Sequence, residues 1–223
     1  MRDSSDATGP ETSHRVATAT RLLAADMFAG LEPEQWRTPS LCAGWTVREV
    51  AGHLVEPLES RTGMLGLVVA LVRYRGSLDR MVDHRTRRAA ERPTSELVAR
   101  LRELADVRLD PPVIGPRGPM SDTLIHLRDA ARPLGLDVDP PPEHWRHVLD
   151  FVTTPTSATR SFAPAARLAG LRLVADDQEW TSGEGEEVRG RSEAIAMAIT
   201  GRTVALDDLT GPGVAVLRAR LGA

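Results

Sequence analysis

Apolar residues recur every three or four positions over most of the first 155 residues, and this spacing predicts a series of amphipathic helices. The first predicted helix runs from Ser13 to Ala29 and ends at Gly30, after a polar stretch, residues 1–12, that we expect to be a flexible tail. The same pattern predicts five more helices. Two of them cover residues 64–88 and 119–134, and the other three start after Thr46, after Pro93 and after residues 140–142.

The pattern changes after about residue 155. Residues 171–174 alternate in the way that is typical of a strand, residues 178–181 and 187–189 are predicted as further strands, and residues 183–185 as a hairpin turn. Two short helices are predicted over residues 192–199 and 213–221. The chain is therefore predicted to be an α+β protein, mostly α, with a helical domain at 13–155 and a small α/β C-terminal domain at 156–223.

Composition narrows the class of protein. The chain has 223 residues and a net charge of −3, so its overall charge does not favour binding to nucleic acid. With one cysteine, it cannot form an intramolecular disulfide. The longest apolar run, Met64 to Val72, is too short to span a membrane, and no signal peptide is recognisable, so we expect a cytoplasmic protein. All 28 basic residues are arginine, which indicates a GC-rich, actinobacterial genome and excludes lysine chemistry.

Three residues offer metal-binding chemistry. Thr46 and Glu49 form the pattern of a capping box, which places His53 on the second turn of the helix that follows. Asp122 and His126 are four residues apart and share a helix face. Together these side chains would supply two nitrogens and one oxygen to a divalent ion and leave a position open. Spacing alone, however, favours simpler interpretations: a core histidine and a surface pair.

Several segments together resemble the mycothiol-dependent maleylpyruvate isomerase family. Residues 41–54 (LCAGWTVREVAGHL) are similar to its first metal-ligand motif, and residues 122–135 (DTLIHLRDAARPLG) are similar to its second. Residues 170–175, Trp180, 188–190 and 200–202 are similar to its C-terminal domain. The resemblance implies a DinB-like four-helix bundle, a zinc ion held by His53, Asp122 and His126, and mycothiol as thiol cosubstrate. The family's acidic ligand is usually Glu, so Asp122 is a departure.

The resemblance also implies a reaction. A metal-activated thiolate would add to a small electrophilic alkene in a cleft between the two domains. Elimination would give isomerisation, and retention of the adduct would give S-transfer. We expect a monomer or homodimer. Two other classes stay open: a non-catalytic metal-binding stress or regulatory protein, and a thiol-independent hydrolase that uses a metal-bound water.

Cys42 and Asp129 each have two interpretations. Cys42 precedes a helix N-terminus, where a thiol pKa can fall, so it is a candidate nucleophile; the simpler expectation is that it packs beside Trp45. Asp129 lies three residues after His126, where it would orient that histidine or bond to Arg132 or water.

Other charged groups are also ambiguous. Arg202, in the Thr-Gly-Arg segment, is a candidate for binding a substrate carboxylate, or for contacting the end of the preceding helix. Glu143, His144 and His147 have ligand-like spacing, but we expect an ordinary helix start there. Seven arginines lie between residues 73 and 92, and a solvated helix face is the favoured interpretation over nucleic-acid binding.

Overall fold

The computed structural model describes residues 9–60, 74, 76–157 and 159–223. The helices are α1 (Pro10–Ala29), α2 (Val47–Glu59), α3 (Leu78–Ala90), α4 (Thr94–Glu103), α5 (Arg117–Ala131), α6 (Pro142–Val152), α7 (Ala165–Leu168), α8 (Ser192–Ile199) and α9 (Gly213–Leu221). The strands are β1 (Leu171–Ala175), β2 (Thr181–Ser182) and β3 (Glu186–Gly190), and short 3₁₀ helices cover Gln35–Arg37, Arg132–Leu134 and Thr203–Asp208. The chain is mostly helical with one small sheet, which confirms the predicted fold class.

The helix boundaries differ from the predicted ones mainly at the ends. Helix α1 begins at Pro10 rather than Ser13, so residues 10–12 of the predicted tail are helical; proline suits a first helical turn because its missing N–H has no partner there. Residues 1–8 lie outside the described residues. The predicted helix at 64–88 is described only as Leu78–Ala90, because residues 61–73 and 75 are not among the described residues.

The C-terminal sheet has the order β2-β1-β3, with β2 antiparallel and β3 parallel to β1. The predicted hairpin at residues 183–185 is therefore wrong, since β2 and β3 lie on opposite sides of β1. Gly183 and Gly185 have φ angles of 78° and 121°. A Cβ on Gly183 would lie 2.3 Å from Leu171 O, and a Cβ on Gly185 would lie 2.1 Å from Gly170 O. These two glycines let the chain pass directly beside the start of β1.

The chain forms two compact units, each discontinuous in sequence. One consists of the described residues up to Val16, residues 110–125 and residues 139–223, and the other of residues 17–109 and 126–138. In the first unit every residue of α8 is buried, and α8 packs against α6 and the sheet. Trp180 Nε1 donates a hydrogen bond to Asp150 Oδ1 at 2.7 Å, which ties the sheet region to α6. The predicted domain boundary near residue 155 stays a prediction.

In the second unit, α2 packs closely on α3 at Gly52. A Cβ at this position would lie 2.9 Å from Ala90 N and 3.0 Å from Thr86 O, so only glycine fits without separating the helices. The unit's core also includes Phe28 and Trp36, whose rings stack with centroids 5.5 Å apart. The close approach at Gly52 sets the distance between the next residue, His53, and α3.

Among the described residues, no helix is both long enough and apolar enough to span a membrane.

Candidate metal centre

His53 is positioned by the start of α2. The capping box is present: Thr46 N–H donates to Glu49 Oε2 at 2.8 Å, and the Thr46 hydroxyl bonds the same carboxylate oxygen. The helix therefore begins at Val47 as predicted, and His53 lies on its second turn. Across the close α2–α3 contact, His53 Nδ1 lies 3.3 Å from Thr86 Oγ1. That hydroxyl fixes one ring nitrogen and so orients the other away from α3.

The structure brings the three predicted ligands together. Asp122 and His126 lie one turn apart on the continuous helix α5, and the rings of His53 and His126 are edge to face with centroids 4.5 Å apart. One donor atom from each of His53, Asp122 and His126 lies within 4.8 Å of the others. All three side chains are partly exposed. Asp122 joins this set although it is one methylene shorter than glutamate. Two imidazole nitrogens and a carboxylate oxygen suit a divalent ion such as zinc, so these residues fit the expected metal.

Asp129 contacts the imidazole of His126 through its carboxylate. Its side chain is fully buried, and its Oδ2 lies 2.9 Å from His126 Nδ1. Because a carboxylate only accepts hydrogen bonds, Nδ1 carries the proton in this contact, and Nε2 is the nitrogen available to a metal. A buried carboxylate on the second nitrogen of a ligand histidine is the usual way in which proteins fix that ring. The structure thus favours the orienting interpretation of Asp129.

Cys42 contacts the same pair, which its sequence position alone did not indicate. Its Sγ lies 3.0 Å from Asp129 Oδ2 and 3.4 Å from His126 Nδ1. The expectation that Cys42 simply packs beside Trp45 therefore misses these polar contacts. Cys42, His126 and Asp129 also form a second set of potential metal donors within 4.8 Å. No spacing rule links residues 42 and 129, because the loop conformation creates this contact.

The loop that carries Cys42 is anchored to α3. Trp45 Nε1 donates to Asp83 Oδ1 at 2.8 Å, and Arg87 Nη2 donates to Gly44 O at 2.9 Å. Hydrogen bonds from Arg87 and then Trp45 hold the pKa of the Asp83 carboxyl below its usual range. The Trp45 ring lies with its centroid 5.1 Å from that of His53, so the anchored loop forms one side of the candidate centre.

Arg202 has one contact that fits the helix-end interpretation. Its Nη1 donates to the carbonyl of Thr200 at 3.0 Å, immediately after α8. Arginine carries five N–H donors, so this bond is compatible with either predicted role. The role of Arg202 in binding a substrate carboxylate stays a prediction.

Glu143, His144 and His147 lie on the first two turns of α6, as predicted. Burial lowers the pKa of both histidines from the ordinary value, and the Nδ1 atom of His144 is buried without a hydrogen-bond partner. The donor clusters found among the described residues do not include these three side chains. The structure therefore gives no support to a second metal site there.

The fold and this cluster together define a class: a DinB-like helical bundle in which two histidines and a carboxylate form a potential metal site, followed by a small sheet. Residues 16–112 match the family described as the mycothiol maleylpyruvate isomerase N-terminal domain. The predicted resemblance to the mycothiol-dependent maleylpyruvate isomerase family is thereby confirmed over these residues.

Two solved structures resemble most of the chain. One is the crystal structure of the mycothiol-dependent maleylpyruvate isomerase, with 14% identity, a TM-score of 0.56 and coverage of 92% of this chain and 93% of that one. The other is a histidine-to-alanine mutant of the mycothiol-dependent maleylpyruvate isomerase, with 15% identity and the same TM-score and coverage. At this identity the likeness shows a shared fold. No curated protein matches the chain.

Proposed function

We propose that this protein is a metal-dependent enzyme that uses a low-molecular-weight thiol, mycothiol, to isomerise or S-conjugate a small electrophile. The observation that carries the proposal is the meeting of His53, Asp122 and His126 in a chain of this family. Their two nitrogens and one oxygen would hold one divalent ion, for which we propose zinc. When bound, the ion would deprotonate the thiol and so supply a nucleophile at neutral pH.

The chain's own residues would hold that centre in place. Thr86 orients His53 through its hydroxyl, and Asp129 orients His126 through its carboxylate. The ring of Trp45 covers one side of the two histidines, with centroids 5.1 and 6.1 Å away, and so limits the access of water from that side. Three ligands leave one coordination position for the thiol.

We propose that Arg202 binds a carboxylate of an anionic substrate. Its planar guanidinium can form two parallel hydrogen bonds to a carboxylate, which fixes both the position and the orientation of the bound group. Arg202→Ala should weaken turnover of anionic substrates and leave the metal content unchanged. Arg218→Ala, which removes an exposed arginine paired with Asp207, is the matched control. Equal turnover in the wild type and Arg202→Ala would exclude this role.

The proposal is tested first by metal analysis. We expect about one divalent ion per chain in the wild type, loss of that ion in His53→Ala and retention in His84→Ala, since His84 is exposed and bonds Tyr74 instead. A wild type that is metal-free after preparation without chelators would exclude the metal centre.

The reaction is tested by incubating the zinc-loaded protein with mycothiol and maleylpyruvate, or with a generic electrophile. Isomerisation or thiol consumption that His53→Ala lacks is the expected result. Turnover without any thiol would favour a hydrolase that uses a bound water instead. Retention of the metal with no turnover of any kind would favour a non-catalytic metal-binding protein.

A further inference from the structure

We propose that Cys42 is a positioning residue of the metal centre: its thiol holds the Asp129 carboxylate, and through it the His126 imidazole, in the orientation that binds the metal. The inference rests on the proposed function, because it takes His126 as a metal ligand. It gives the single cysteine of the chain a structural role that involves no reaction at its sulfur atom.

The first argument is the geometry around one oxygen atom. Asp129 Oδ2 lies 2.9 Å from His126 Nδ1 and 3.0 Å from Cys42 Sγ, so an N–H and an S–H donate to the same atom. The Asp129 side chain is 0% exposed. A buried carboxylate is costly without hydrogen-bond donors, so each donor that reaches it contributes to holding it in place.

The second argument is that the loop holds the thiol in this position by its own hydrogen bonds. Cys42 N–H donates to Ser40 Oγ at 3.1 Å, and Trp45 N–H donates to Cys42 O at 3.0 Å, which closes a turn. Gly44 takes a φ of 79° within that turn. Leu41 N–H also donates to the backbone carbonyl of Asp129 at 3.0 Å. The loop therefore contacts Asp129 at the main chain and at the side chain.

The third argument concerns the consequence of losing the thiol. Without the S–H donor the Asp129 carboxylate keeps its contact to His126 but loses one of the contacts that restrain its rotation. The imidazole is then held less firmly, and Nε2 is presented to the metal in a broader range of orientations. Loss of an outer partner of this kind weakens metal binding by about 10- to 100-fold in other proteins.

A competing arrangement uses the same atoms differently. Cys42, His126 and Asp129 could themselves ligate an ion, because their donor atoms also lie within 4.8 Å of one another. The positioning arrangement is favoured because the two shortest distances, from His126 Nδ1 and from Cys42 Sγ to Asp129 Oδ2, are hydrogen-bond distances from a donor to an acceptor. The two arrangements predict different spectra for a cobalt-substituted protein, since only direct ligation gives a sulfur-to-cobalt charge-transfer band.

The test compares the wild type, Cys42→Ala and Cys42→Ser, with Ser60→Ala as a control that removes a half-buried hydroxyl just after the end of α2. Zinc affinity is measured by competition with a chromophoric chelator, and Co²⁺ absorption is recorded for each protein. We expect Cys42→Ala to bind zinc about tenfold more weakly. Cys42→Ser should keep the affinity within about threefold, because its hydroxyl also donates to Asp129. Ser60→Ala should bind like the wild type, and none should show the charge-transfer band.

Three outcomes would overturn the inference. Equal zinc affinity in Cys42→Ala and the wild type would show that the thiol has no positioning role. A sulfur-to-cobalt band in the wild type, with equal loss of affinity in both Cys42 variants, would make Cys42 a ligand instead. A wild type that binds no zinc would reject the proposed function itself, which separates that failure from the failure of the Cys42 assignment. Thermal melting of each variant checks that it is folded.

Discussion

His126 and the buried Asp129 form a pair, one helical turn apart on α5, in which the Nδ1 atom of the imidazole lies 2.9 Å from the Oδ2 atom of the carboxylate. The pair places the proton of His126 on Nδ1 and leaves Nε2 available to a metal. Asp129 follows His126 by three residues and Asp122 precedes it by four, so helix geometry places the two carboxylates on the turns after and before His126.

Asp129→Asn should weaken zinc binding by about 10- to 100-fold, because an amide is a poorer acceptor than a carboxylate for the His126 N–H. The measurement is the zinc dissociation constant, obtained by chelator competition. Asp207→Asn, at an exposed position paired with Arg218, is the control and should leave the affinity unchanged. An unchanged dissociation constant in Asp129→Asn would remove this residue from the metal centre.

Gly52→Ala should destabilise the protein, because the new Cβ would lie 2.9 Å from Ala90 N and 3.0 Å from Thr86 O. Both are backbone atoms that cannot turn aside, so α2 and α3 must separate, at a cost of about 1–3 kcal/mol in the free energy of unfolding. Gly30→Ala is the matched control, since its Cβ would meet only ordinary contacts at 3.6 Å and beyond. Urea unfolding measures the stability of both variants, and equal unfolding midpoints for the two would contradict the close contact at Gly52.

Glu59 at the end of α2 should stabilise the fold in a pH-dependent manner. Burial by itself raises the pKa of its carboxyl, but hydrogen bonds and charges from Arg100 and Arg92 outweigh burial and lower the pKa. A carboxyl whose pKa is lower in the folded state stabilises it above the unfolded value of about 4.3, and this contribution is lost as pH falls through the folded pKa.

Glu59→Gln should therefore lower the free energy of unfolding by about 1–2 kcal/mol at pH 7. The difference from the wild type should shrink below about pH 4. Denaturant unfolding at several pH values provides the measurement. Glu103→Gln removes an exposed partner of Arg100 and should change little, as is usual for surface ion pairs. A difference that stays constant from pH 7 to pH 3 would show that the Glu59 charge contributes nothing.

His144 and His147 should make the protein less stable in mild acid. Burial lowers the pKa of both imidazoles, so the unfolded chain takes up protons first as pH falls below about 6.5. Stability is then lost progressively until the folded pKa values are reached. The double variant His144→Gln/His147→Gln should show a flatter dependence of unfolding free energy on pH between 7.5 and about 5. His84→Gln, at an exposed histidine, should keep the wild-type slope.

Local signals in the sequence were sufficient for much of the fold. Thr46 and Glu49 are three residues apart, and a capping box depends only on that local spacing, so the start of α2 was predicted to the residue. Asp122 and His126 are likewise related by helix geometry alone. The path of β3 could not be predicted in this way, because it depends on Gly183 and Gly185 passing the start of β1, a contact with no local signature.

The same difference between local signals and long-range contacts applies to the metal centre. The three ligand candidates followed from motifs and family resemblance, and the spacing of Asp129 from His126 already suggested its orienting role. The supporting roles of Thr86 and Cys42 did not follow from the sequence. Thr86 and Cys42 reach His53 and Asp129 across 33 and 87 positions of the sequence, and only the folded loop and the α2–α3 contact bring them there. Long-range polar contacts of this kind have no periodicity that a single sequence displays.

The attachment of the loop at residues 41–46 has a consequence for protein engineering. The loop bonds Asp129 through Leu41 and Cys42 and bonds α3 through Gly44 and Trp45. A designer who transfers only His53, Asp122 and His126 to another helical scaffold would copy the ligands without the parts that aim them. The smallest transferable centre in this molecule is a loop with segments of three helices.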